Sequence, residues 1–121
     1  MKRKKFNWKR KTGLYLGRFQ PFHEGHKKVF QKTLKKNYQV VLLVMDSFGV
    51  GKKNPMTFTQ VKKRINSQLR KYKGMYIIIK VPVISRFVFG RKVGYKIERV
   101  KLSKKLENIS ATKIRKKIKF N

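Results

Sequence analysis

The eighteen residues "GLYLGRFQPFHEGHKKVF", 13–30, decide how the rest of the chain is read. The first five form a short apolar run with a glycine at each end, which suits a buried strand better than a helix. From His26 onward, Val29, Phe30, Thr33 and Leu34 recur at helical spacing with lysines on the opposite face, and Asn37 closes the segment. Between strand and helix lie Arg18, Gln20, Pro21, Gly25 and both histidines of the chain, His23 and His26.

Working outward, "YQVVLLVMD" (38–46) is continuous and β-branched, the pattern of a strand buried on both faces of a parallel sheet. "SFGVGKKNPMTF" (47–58) is a Gly/Asn/Pro loop. After it, Thr57 or Thr59 caps a helix through Val61, Ile65 and Leu69 that ends near Gly74. "MYIIIKVPV" (75–83) is a third strand, "RFVFG" (86–90) a fourth, and the alternation of "YKIERVKL" (95–102) predicts a fifth at an edge. In "NISATKIRKKIKF" (108–120), Ser110 is a good N-cap, and Ile114 and Ile118 share one face of a short terminal helix. This alternation predicts an α/β fold. We expect a Rossmann-like, doubly wound, mostly parallel five-stranded sheet with helices on both faces and right-handed crossovers.

The length of 121 residues is that of one compact domain, read as residues 13–121; residues 1–12 are a basic tail, read as partly disordered. No apolar run reaches the roughly 18 to 20 residues of a membrane span, and no apolar stretch follows the basic start, so the expectation is a soluble, cytoplasmic protein. The chain has no cysteine, which excludes disulfides, thiolate metal sites and a thiol nucleophile.

Lysine and arginine number 35, against only Glu24, Asp46, Glu98 and Glu107, leaving a net charge of +31. Such a chain attracts polyanions: a nucleoside triphosphate, a phosphorylated metabolite or a nucleic acid. The lysines are spread along the whole chain, so they also fit a merely solvated surface. No aromatic stacking platform or groove-reading motif is visible in the sequence, and the expectation is weak, non-specific nucleic-acid binding around a small-molecule site.

In open α/β sheets, ligands bind beyond the carboxyl ends of the strands, where a helix N-terminus offers N–H groups to anions. His23 falls on the turn and His26 on the first residue of the predicted helix, both directed at such an anion, and Gly25 lets the backbone approach it.

"GRFQPFHEGH" (17–26) resembles the H-x-G-H signature of the nucleotidylyltransferase superfamily, in the form found in archaeal-type nicotinamide mononucleotide adenylyltransferases and related cytidylyltransferase-like proteins. "ISATKIR" (109–115) is similar to the superfamily's second signature, I-S-x-T-x-I-R. Between them, "KNPMTFTQVKKRI" (53–65) resembles the segment N-P-F-T-x-x-E-R, read with Met56 for the phenylalanine and Lys63 for the acid. The likeness spans residues 13–119.

The resemblance implies transfer of a nucleotidyl group, with AMP favoured, from a nucleoside triphosphate to a phosphorylated acceptor such as nicotinamide mononucleotide. Pyrophosphate leaves, and Mg²⁺ is carried by the triphosphate with no protein ligand set. His23, His26, Arg115 and Lys53 are the implied catalytic residues, with Lys52 beside Lys53 as a second loop cation. Gly17, Arg18, Phe19, Gly25, Gly90, Arg91, Ser110 and Thr112 are the implied nucleotide-binding residues, with Tyr95 near the base. The alternatives are a cytidylyltransferase acting on a small phosphorylated alcohol, which fits the short chain, and a basic nucleic-acid-binding protein on the same scaffold. A homo-oligomer is left open.

Overall fold

The computed structural model describes residues 5–91 and 94–100. Strand β1 (Gly13–Gly17) leads through a loop into helix α1 (Glu24–Asn37), and β2 (Val40–Met45) into α2 (Phe58–Gln68). A short 3₁₀ turn, Arg70–Tyr72, then delivers the chain to β3 (Tyr76–Val81). The strands are parallel in the order β1-β2-β3, with Gly13 opposite Val40 and Val40 opposite Tyr76.

Two successive parallel crossovers that advance in the same direction and share a hand put their helices on the same face. The packing agrees. Phe30 of α1 and Val61 and Ile65 of α2 are fully buried in one cluster with Val40, Leu42 and Val44, the alternate residues of β2. Each such side chain contributes about 1.5–3 kcal/mol through apolar burial. Val41, Leu43 and Met45, on the other side of β2, are only half-buried, although the sequence reads as a strand covered on both faces.

Helix ends are set by local chemistry. Thr57 rather than Thr59 is the N-cap of α2: its Oγ1 accepts the Gln60 N–H at 3.2 Å, and the Gln60 side chain accepts the Thr57 N–H at 2.8 Å. The acidic position of N-P-F-T-x-x-E-R, three residues after the threonine, is therefore Gln60 and not Lys63. Helix α1 begins at Glu24, two residues before the expected His26, and Tyr38 ends it in the left-handed region at φ 65°. Gly13 is required to be small, since a Cβ there would collide with Thr33 of α1.

Both described helices lie on one face of the sheet, and the expected terminal helix lies outside the described residues, as do residues 101 and 102 of the fifth strand. Arg86–Gly90 and residues 95–100 form no strand. Strand preference reports fit to a half-buried pleated surface. Phe87, Val88 and Phe89 are all at least half exposed, so they find no such surface. The part of the basic tail that is described is tied down: the Gln39 side chain accepts the Asn7 N–H and donates to the Asn7 carbonyl and to Thr12 Oγ1.

Candidate active site

The loop from β1 to α1 leaves the carboxyl end of the sheet at Gly17. Phe19 takes a positive φ of 53° and turns its ring back over Gly17, where a Cβ would come within 2.8 Å of ring carbons. Gly17 thus admits the chain's own Phe19 ring, and Phe19 is a core residue rather than a ligand contact, since it is 2% exposed. Gln20, also buried, staples this loop to the approach of α2. Its Nε2 donates to the Met56 carbonyl at 2.9 Å and its Oε1 accepts the Met56 N–H at 2.8 Å.

His23 is the N-cap of α1, and its Nδ1 accepts the Gly25 N–H at 3.0 Å. Reciprocally, Nδ1 of His26 accepts the His23 N–H at 3.1 Å, so histidine stands where a capping box has glutamate. The two rings stack with centroids 3.9 Å apart. His26 also stacks on Phe22 and meets the edge of Phe19. Because each Nδ1 is an acceptor, each neutral ring carries its proton on Nε2.

Burial pushes the His26 pKa down to about 3, with the neighbouring His23 adding to the effect. Burial also lowers that of His23, followed by the charge of Arg64, while Glu24 opposes. The pair is therefore neutral at pH 7 and consists of two N–H donors, not two acids. Helix α1 adds the positive end of its dipole, so the arrangement suits phosphate oxygens that gain charge during reaction.

This protonation has a measurable consequence. The ordinary histidine value is 6.5, so between about pH 6.5 and pH 3 the unfolded chain takes up a proton that folded His26 refuses. Stability is complete above that window and falls with decreasing pH, by up to about 1.4 kcal/mol per pH unit for this group. Urea midpoints at pH 7.0 and 5.5 should fall less in His26→Gln than in the natural protein. Equal losses would mean that His26 titrates normally when folded.

The structure brings together His23, Gly25 and His26, with Gly17 and Phe19 beneath them. Arg18 is exposed on the same loop. Lys52 and Lys53 are exposed on the loop after β2, which is closed by a Ser47 to Asn54 side-chain bond of 2.8 Å. Gly90, Arg91 and Tyr95 are exposed, and among the described residues no hydrogen bond, ring contact or ion pair joins them to the histidines. Ser110, Thr112 and Arg115 lie outside the described residues.

Arg64 was not singled out from sequence. Its Nε donates to the Phe22 carbonyl at 2.7 Å, setting a guanidinium beside His23. Asp46, at the end of β2, pairs with Lys80 at 3.3 Å, and no cluster of three or more metal-ligating side chains occurs among the described residues.

Residues 14–77, just over half of the chain, match the family model described as cytidylyltransferase-like. The matched span runs from β1 through the histidine pair, β2 and α2 into β3. No curated protein matches the chain. The chain belongs to the cytidylyltransferase-like family and is a nucleotidyltransferase.

Proposed function

We propose, from that family membership and the histidine geometry, that the protein transfers AMP from ATP to a phosphorylated acceptor, with nicotinamide mononucleotide the favoured one. The observation that carries this reading is the stacked pair of neutral histidines at the α1 N-terminus, whose Nδ1 atoms are both engaged and whose Nε2–H groups remain as donors. A phosphate oxygen of the acceptor attacks the α-phosphorus, a new P–O bond forms, and the bond to the β-phosphate oxygen breaks. Pyrophosphate leaves with the electron pair, and no covalent enzyme intermediate forms. The protein's contribution is positioning and charge stabilisation: His23 and His26 donate to α- and β-phosphate oxygens, with Arg64 as nearby positive charge.

Mg²⁺ enters this scheme as part of the triphosphate substrate. The donor set of the chain supports that assignment, because both imidazole Nδ1 atoms already accept backbone N–H groups and Asp46 is paired with Lys80. Mg²⁺ keeps several waters and needs few protein ligands when phosphates supply the rest. The cytoplasm is the proposed location; among the described residues no helix is long and apolar enough to cross a membrane.

The second reading, a cytidylyltransferase acting on a small phosphorylated alcohol, is favoured by the cytidylyltransferase-like description of the family model matched over residues 14–77. Pyrophosphate release with ATP or CTP, screened against phosphorylated nucleosides and alcohols, separates the two. Release with CTP and an alcohol phosphate alone would overturn the adenylyl reading.

The likeness at residues 109–115 adds a prediction. Arg115→Ala should raise the nucleotide KM and lower kcat, since an arginine on the β- and γ-phosphates acts in both ground and transition states. Lys116→Ala should change little. Indistinguishable kinetics for the two would assign the segment a purely structural role.

A further inference from the structure

The chain's single tryptophan, Trp8, lies exposed at the opposite end of the sheet from the histidines. Residues Asn7 to Arg10 form a turn closed by the Arg10 N–H to the Asn7 carbonyl at 3.1 Å. Trp8 and Lys9 sit at its corners, and Trp8 is 76% exposed. A single exposed aromatic needs no explanation, but this one is mounted on a fixed base. The amide of Gln39, itself 3% exposed, accepts the Asn7 N–H at 3.0 Å and donates to the Asn7 carbonyl at 2.7 Å and Thr12 Oγ1 at 2.6 Å. The Phe6 ring meets Trp8 edge to face.

Beside this turn, Tyr38 is 67% exposed at the end of α1, and the Arg10 guanidinium lies 5.0 Å from its ring centroid. The result is two outward aromatic surfaces and a stacked guanidinium, with Lys5, Lys9 and Lys11 exposed around them. The sequence showed no such platform because Trp8 and Tyr38 are far apart in the chain, and the Gln39 bonds and the Arg10–Tyr38 contact that bring their segments together are non-local.

We propose that the Asn7–Arg10 turn and Tyr38 form a binding site for single-stranded nucleic acid. A base stacks on the Trp8 indole, and the phosphates follow the surrounding cations. Unpaired bases are required because only they expose a free face to an aromatic ring, whereas inside a duplex the base faces are stacked on one another. The site begins where β1 and β2 begin, and the histidines stand where β1 ends. A strand length of roughly 17 Å therefore separates them, and both can be occupied together.

Trp8 is the only tryptophan in the chain, so its fluorescence reports on this site alone. The full chain would be titrated at 150 mM salt with a labelled oligouridylate, a duplex of equal length and heparin. Oligouridylate should quench Trp8 and bind at least about tenfold more tightly than the duplex, while heparin binds without quenching. By anisotropy, Trp8→Ala should weaken oligouridylate binding about tenfold with an unchanged salt slope, since stacking and not charge is removed. Gln39→Ala should weaken it too by releasing the turn. Absence of quenching, equal affinity for duplex, or wild-type binding by Trp8→Ala would each overturn the proposal and reduce the patch to diffuse electrostatics. Nucleotidyl transfer by Trp8→Ala should be unchanged, so failure here leaves the reading of the histidine site intact.

Discussion

Turnover of the His26→Ala protein should fall by about two to four orders of magnitude, through loss of a donor aimed at developing phosphate charge. From sequence alone the same substitution is expected to spare the fold, because a side chain at a helix N-terminus exposes no core when removed. The packing says otherwise. The His26 ring is stacked on His23 and Phe22, meets Phe19 edge on, and supplies the acceptor for the His23 N–H. Its removal should also cost about 2–4 kcal/mol of stability, from lost packing and an unpaired amide.

His23 allows the two effects to be separated. Asparagine is as good an N-cap as any residue, so His23→Asn should keep α1, and with only the stacking on His26 lost it should lie within about 1.5 kcal/mol of the natural protein. It lacks the Nε2–H donor, and turnover should still drop about 100- to 1,000-fold. The measurements are kcat on the substrate pair found by the pyrophosphate screen and urea midpoints for both variants. A folded His23→Asn protein with near-natural turnover would remove His23 from the chemistry.

Much of this arrangement was legible because local signals agreed. The apolar runs at 13–17, 40–45 and 76–81 are all strands, and the spacing of Val61, Ile65 and Leu69 marks the buried face of α2. The glycine-bounded run and the histidines predicted a strand, loop and helix with the pair at the helix start, and there it is. What could not be read is non-local. Gly17 looks like room for a nucleotide until the Phe19 ring is found to occupy it. Phe87 to Phe89 look like a strand, but no property of those residues says whether a sheet edge will meet them. The links from Arg64 to Phe22 and from Gln39 to Asn7 span more than thirty residues and obey no period. Within the loop, Gln20 reads as one more polar residue of the motif, yet it holds two segments together.

That staple carries the second large effect. Gln20→Ala should destabilise the protein by about 2–4 kcal/mol, because it leaves the buried N–H and carbonyl of Met56 without partners, each costing about 1–3 kcal/mol. The groups are well shielded: Gln20 is 5% and Met56 6% exposed. Turnover should fall as well, since the loop that Gln20 fastens also carries His23, and small misplacements of a positioning group are expensive. Gln20→Glu tests whether hydrogen bonding or volume is responsible. A glutamate has the same shape and can accept the Met56 N–H, but when ionised it has no proton for the Met56 carbonyl and brings a negative charge against it. Its folded pKa should be raised, because only the protonated form donates. Its stability relative to Gln20→Ala should therefore be greatest at low pH and shrink as pH rises through that folded value. Urea midpoints of both variants at pH 5 and pH 8 give the comparison. A constant difference between them, or a Gln20→Ala loss below about 1 kcal/mol, would mean that the amide only fills space.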